Sequence, residues 1–100
     1  MEFLHQGDIV KIEKITHPVL VVSKDFFNTS NAIMGCPIIK ESLCGPLHIW
    51  IETDKTEGYV HCEKLKMLDL AVRGYKKVDR LSISQLMNVA DAIQGIFEYI

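Results

Sequence analysis

The sequence predicts a mostly-β domain of five to seven short strands followed by one C-terminal α-helix. Three observations carry this. Between Ile9 and Val60 the apolar residues fall in short alternating or β-branched runs, Gly and Pro punctuate those runs, and a clear three-and-four apolar spacing begins only after Ser82. A length of 100 residues with 48% hydrophobic and 24% charged side chains suits a single folded domain covering residues 1–100.

Gly7-Asp8 opens the first strand, in which Ile9, Val10 and Ile12 are apolar and Lys11 is charged. Pro18-Val19-Leu20-Val21-Val22 is too short for a helix and rich in β-branched residues, so it reads as a buried strand that starts at Pro18 and pairs with the first as a hairpin. The segment from Ser23 to Asn31 breaks the β pattern with turn-forming side chains, with one helical turn around Phe26. A strand from Ala32 to about Ile39 contains Gly35 and Pro37, which predict a bulge or strong bend of the kind that turns a corner in a small barrel. Gly45-Pro46 marks a turn, Leu47 to Glu52 a strand with Trp50 in the core, Asp54 to Gly58 a turn, and Tyr59-Val60-His61 the start of another strand. After Gly74, Tyr75 to Val78 forms a final edge strand with its lysines outward. Ser82 with Gln85 is a capping-box pair, and Leu86, Ala90, Ile93, Phe97 and Ile100 make an apolar stripe. Met87, Val89 and Ile96 widen that stripe, enough for one side to meet the sheet and another a second subunit.

A formal net charge of −2 means that nucleic acid is not recruited by the bulk field, so RNA binding requires a local basic patch. Lys64, Lys66, Arg73, Lys76, Lys77 and Arg80, against Glu63, Asp69 and Asp79, make either such a patch or an ordinary solvated face. The N-terminus lacks the basic start and apolar run of a signal peptide, and no apolar stretch is long enough to cross a bilayer. A cytoplasmic protein with no membrane partner is expected. Cys36, Cys44 and Cys62 form neither a CxxC pair nor a disulfide-dense pattern and read as reduced thiols. His61-Cys62 with His48 and Cys44 matches no known ligand spacing, so no metal is expected. His48 and His61 lie inside strand segments and read as satisfied structural histidines.

Five pieces occur in order: Gly7-Asp8-Ile9-Val10, Pro18 to Ser23, Cys36-Pro37-Ile38, Glu63-Lys64-Leu65-Lys66-Met67-Leu68-Asp69, and the Leu81-Ser82 start of the helix. In that order the chain resembles the MazF/PemK-type toxins of the MazF/CcdB superfamily from end to end. The resemblance implies an SH3-like β-barrel with a C-terminal helix, a homodimer, and the toxic half of a type II toxin-antitoxin pair. Typical members are endoribonucleases, or mRNA interferases, that cut single-stranded RNA without metal or other cofactor and leave a cyclic phosphate. They are restrained by a cognate antitoxin whose acidic, partly disordered tail covers the RNA groove.

The match is uneven at the positions that carry chemistry. Where the family usually has Arg-Pro this chain has His17-Pro18, and where it has Thr or Ser after Pro-Ile this chain has Ile39. Glu63-Lys64-Leu65-Lys66 stands in the acid-Gln-x-Arg segment, and the Asp8–Pro18 loop is short and lacks the Gly-rich stretch. Metal-free cleavage needs a base for the 2′-hydroxyl, an acid for the leaving 5′ oxygen and a cation for the phosphorane. Imidazoles ordinarily titrate near about 6.5, which suits His17 to proton transfer, with Lys40, Lys64 or Lys66 as RNA-binding cations. The plainer reading is a half-exposed histidine at a strand entry. Phe26 and Phe27 are loop anchors in preference to base-stacking platforms, and Cys36 is a small buried hydrophobe. Two further functions remain open: a non-catalytic protein that binds a target such as DNA gyrase through its terminal helix, as the CcdB branch does, and a regulatory binder that has lost its toxicity.

Overall fold

The computed structural model describes residues 3–97. Strand β1 (Asp8–Ile12) is followed by β2 (Val19–Val21), the helical turn α1 (Asp25–Asn28), β3 (Ala32–Ile39), β4 (His48–Glu52) and β5 (Glu57–His61). A 3-10 turn (Cys62–Lys64), β6 (Lys66–Asp69), β7 (Tyr75–Arg80) and α2 (Ile83–Phe97) complete the chain order. All strand pairings are antiparallel in the order β4-β5-β3-β2-β1-β7, with β6 also on β3. Among the described residues β4 and β7 are not joined, so the expected barrel is an open, curled sheet.

Gly7 starts β1 at φ +97°, a conformation that suits glycine, while its N–H donates to the Val21 carbonyl at 2.8 Å and its carbonyl accepts from Leu81 at 2.8 Å. The hairpin forms as the sequence predicts, with Ile9 opposite Leu20 and Val10 opposite Val19. Its solid apolar character has a clear cause, because the sheet is covered on both faces here. Ile9 and Leu20 join Cys36, Ile38, Ile51, Val60, Leu81 and Val89 in one core, whereas Val10, Val19 and Val21 join Ile12, Ile33, Leu68 and Leu70 in a second.

Strand β3 makes the corner. One edge pairs with β2 through Gly35, Cys36 and Pro37, while the other pairs first with β6 (Ala32 to Gly35) and then with β5 (Ile38 and Ile39). A Cβ on Gly35 would stand 2.5 Å from Val19 Cγ1, so glycine is required by the close approach of β2. Ser23, at the end of the Pro-led run, receives the Met34 N–H at 3.0 Å and pairs with buried Asn28, whose amide reaches the Leu4 carbonyl at 2.9 Å.

Five sequence expectations change. Trp50 is not core: it is 42% exposed and packs edge-on against Tyr59, because a two-residue period places it opposite the face that buries Ile51. Phe26 is 79% exposed and anchors nothing, while Phe27 is half-buried. The last strand runs to Arg80, and Lys66–Asp69 is a strand that its short length concealed. The buried centre of α2 is Val89, flanked by Leu86, Ala92 and Ile93, whereas Phe97 is exposed; Ile100 lies outside the described residues. Ser82 does receive the Gln85 N–H at 3.4 Å. The Gln85 side-chain amide reaches back to Ser82 Oγ at 3.2 Å and also accepts the Glu52 N–H at 2.7 Å and donates to the Glu52 carbonyl at 3.0 Å, which fastens α2 to the end of β4.

Candidate functional site

The β1–β2 loop, the corner of β3, the 3-10 turn and β6 enclose a cleft of about 610 Å³. His17, Lys64 and Lys66 line it together with an apolar floor that includes Val19, Pro37 and Ile39. A second cleft of about 450 Å³ lies between β1, the C-terminal end of β3 and the β4–β5 turn, lined by Lys11, His17, Lys40, Lys55 and Glu57 among others. His17 belongs to both and forms the ridge between them. Three of the four residues singled out from the sequence therefore share one cleft. The fourth, Lys40, stands across the ridge, held 3.3 Å from Glu57.

Lys11 and Lys55 were missed by the sequence reading. Lys11 had a signal, as the one outward residue of a strand otherwise buried. Lys55 had none, since a lysine in a turn is ordinary. The proposed basic stretch between Lys64 and Arg80 does not form one patch: Lys77 lies 3.3 Å and Arg80 3.9 Å from the buried carboxylate of Asp8, which also accepts the His5 N–H at 2.8 Å. Ile39 presents hydrocarbon to the cleft where the family resemblance implies a hydroxyl.

A separate cluster sits on the outer face of β4 and β5. His48 and His61 are register partners, and their rings stack with centroids 4.0 Å apart. Glu63 Oε1 lies 2.7 Å from His48 Nε2 and 3.7 Å from His61 Nδ1, and His48 Nδ1 lies 2.6 Å from the Leu43 carbonyl. That carbonyl, with Glu63, raises the pKa of His48. Burial, followed by the charge of His48, lowers that of His61. Burial alone would raise Glu63, but the hydrogen bond with His48 holds it below the usual range. His61 is 6% exposed and neither ring nitrogen has a hydrogen-bond partner among the described residues, so it is not the satisfied structural histidine expected. Cys62 turns inward, and Cys44 is exposed.

The fold is shared with solved MazF and endoribonuclease structures. A chain of the MazE-MazF complex (Form-I) from Deinococcus radiodurans is 17% identical, with 97% of this chain and 98% of that chain covered and a TM-score of 0.88. An endoribonuclease from a Mycobacterial species is 15% identical over 97% and 93% of the two chains, with a TM-score of 0.84. A Mycobacterial endoribonuclease in complex with its cognate antitoxin is 13% identical over 94% of each, with a TM-score of 0.80. No curated protein matches the chain significantly. The family model of the PemK-like, MazF-like toxins of type II toxin-antitoxin systems matches residues 5–97. The chain belongs to that family.

Proposed function

We propose that this chain, acting as one domain over residues 1–100, is a metal-independent endoribonuclease that cuts single-stranded RNA in the cytoplasm and is restrained by a cognate antitoxin. The observation that carries the reading is the place of His17 on a ridge between two lysine-bearing clefts. A single strand laid across that ridge has a phosphate beside an imidazole and cations on either side. His17 takes the proton of the 2′-hydroxyl as its oxygen attacks phosphorus, the bond to the 5′ oxygen breaks, and a cyclic phosphate remains. Lys64 and Lys66 on one side and Lys40 on the other stabilise the charge that builds on the phosphorane, and a protonated group or water supplies the proton to the 5′ oxygen. Lysines do this as point charges, without the two-pronged grip of an arginine. The exposed Met87, Ile96 and Phe97 on α2 support a homodimer, and the solved complexes of fold relatives support an antitoxin partner. Among the described residues no helix is long and apolar enough to cross a membrane.

Incubation of the antitoxin-free protein with mixed-sequence single-stranded RNA in EDTA, from pH 5.5 to 8.5, tests this. Cleavage is expected, and His17→Ala is expected to slow it by about 100-fold or more. No cleavage at any pH overturns the activity, and equal cleavage by His17→Ala overturns the role of His17. One observation favours a second reading. Ile39, Pro37 and Val19 make the larger cleft apolar enough for the side chains of a protein partner, as in a binder without catalysis. Growth arrest on overexpression without RNA cleavage distinguishes that binder from the nuclease.

A further inference from the structure

The cluster of His48, His61 and Glu63 carries chemistry that neither cleft uses, since none of the three lines either one. Three features set it apart from an ordinary ion pair. The donor atoms, two imidazole nitrogens and a carboxylate oxygen, lie within 4.8 Å of one another. His48 Nδ1 is turned onto the Leu43 carbonyl at 2.6 Å, which assigns one ring proton to Nδ1 and makes Nε2, hydrogen-bonded to Glu63 at 2.7 Å, the nitrogen whose proton an ion would displace. Beneath them His61 is buried with both ring nitrogens unpartnered among the described residues, although buried polar groups are nearly always paired. A His48–Glu63 ion pair accounts for the first two features and leaves the third without a cause.

We infer that His48, His61 and Glu63 form a binding site for a divalent transition ion of borderline softness, zinc above all. Two imidazoles and one carboxylate are the donors zinc takes, at about 2.0–2.2 Å each, so tetrahedral donors stand roughly 3.3 Å apart. The observed 2.7 Å from Glu63 to His48 and 3.7 Å to His61 bracket that spacing, and the two imidazole donors, within 4.8 Å of each other, have to draw together to reach it. An ion replaces the shared proton between His48 and Glu63 and gives His61 its missing partner. The stacked rings must splay for both lone pairs to converge, and partly exposed His48 has room to turn. Glu63 and His48 are partly exposed, so a water can join the three protein ligands to complete the set. The ion would tie the β4–β5 hairpin to the 3-10 turn that carries Lys64. It is structural and takes no part in the metal-free cleavage proposed above, which is tested separately in EDTA.

The full chain, stripped with EDTA and desalted, is titrated with zinc chloride by calorimetry at pH 7.5. One zinc per chain is expected, with affinity at least tenfold weaker in His48→Gln and in Glu63→Gln, and with a zinc-dependent rise in Tm that the double variant lacks. Cys44→Ser is expected to bind as the parent does. In the unaltered chain, zinc is expected to shift the ring proton resonances of His48 and His61 and not those of His5 and His17. Absence of saturable binding, binding that survives the double variant, loss of binding in Cys44→Ser, or shifts confined to His5 or His17 each overturns the inference.

Discussion

At the scale of single residues, environment sorts groups that look alike in the sequence. Burial pushes the Cys36 thiol up to about 12 and the Cys62 thiol to about 11, while Cys44 is exposed. The thiolate is the reactive form, so one of the three cysteines should react with a thiol reagent in the native protein at pH 8 and all three after denaturation, as read by absorbance of the released reporter. Rapid native labelling of two or more would contradict the burial described. Asp79 offers a pH test. Burial raises its pKa, yet the hydrogen bond from Thr53 and the Arg80 backbone N–H outweigh this and hold it below the usual range. A lowered carboxylate contributes stability that is present above its unfolded value of about 3.9 and is lost as the pH falls through the folded one. Thr53→Val should therefore lower Tm at pH 7 and narrow the gap to the parent towards pH 2. A gap that is unchanged or wider at pH 2 would refute the linkage. The chemistry at His48 and His61 was not legible in the sequence, since thirteen positions separate them and only strand register stacks them. The position of His17 at the entry to β2 was legible from the adjacent Pro18, because the hairpin that holds it is local, whereas the two clefts it borders depend on distant strands and were not.

At the scale of elements, legibility followed how far each instruction reaches along the chain. Gly7-Asp8, Pro18 and the Ser82–Gln85 pair act on their own neighbours, and those boundaries formed where expected. The faces of β4 were misjudged because alternation separates two faces without saying which one the rest of the molecule covers, so Trp50 lies outside while Ile51 lies inside. Strand β6 escaped notice because four residues are too few to show a period, and its partner is β3, over thirty positions earlier. The bend of β3 depends on Gly35 for a steric reason that makes it testable. Gly35→Ala drives a methyl into the Val19 side chain in the tight β2–β3 contact and should destabilise by about 1–3 kcal/mol, measured by urea denaturation. An unchanged midpoint would mean that β2 yields without cost.

At the scale of the whole molecule, a net charge of −2 leaves no long-range attraction for RNA, so under the proposed function affinity has to come from the few cations at the ridge. On single strands each neutralised phosphate contributes a slope of about −0.7 to the plot of log affinity against log salt. Lys64→Gln with Lys66→Gln should therefore flatten the slope by roughly 1.4, whereas Lys76→Gln, outside both clefts, should not alter it. Equal slopes in all three proteins would place RNA elsewhere. One joint of the fold does not depend on a matched pair of side chains. The Gln85 amide grips the N–H and carbonyl of Glu52, so it recognises the strand without recognising its residue. Every amino acid except proline presents the same two groups at position 52. The contact therefore places its whole sequence constraint on one partner, and a search for correlated changes between helix and strand would pass over it.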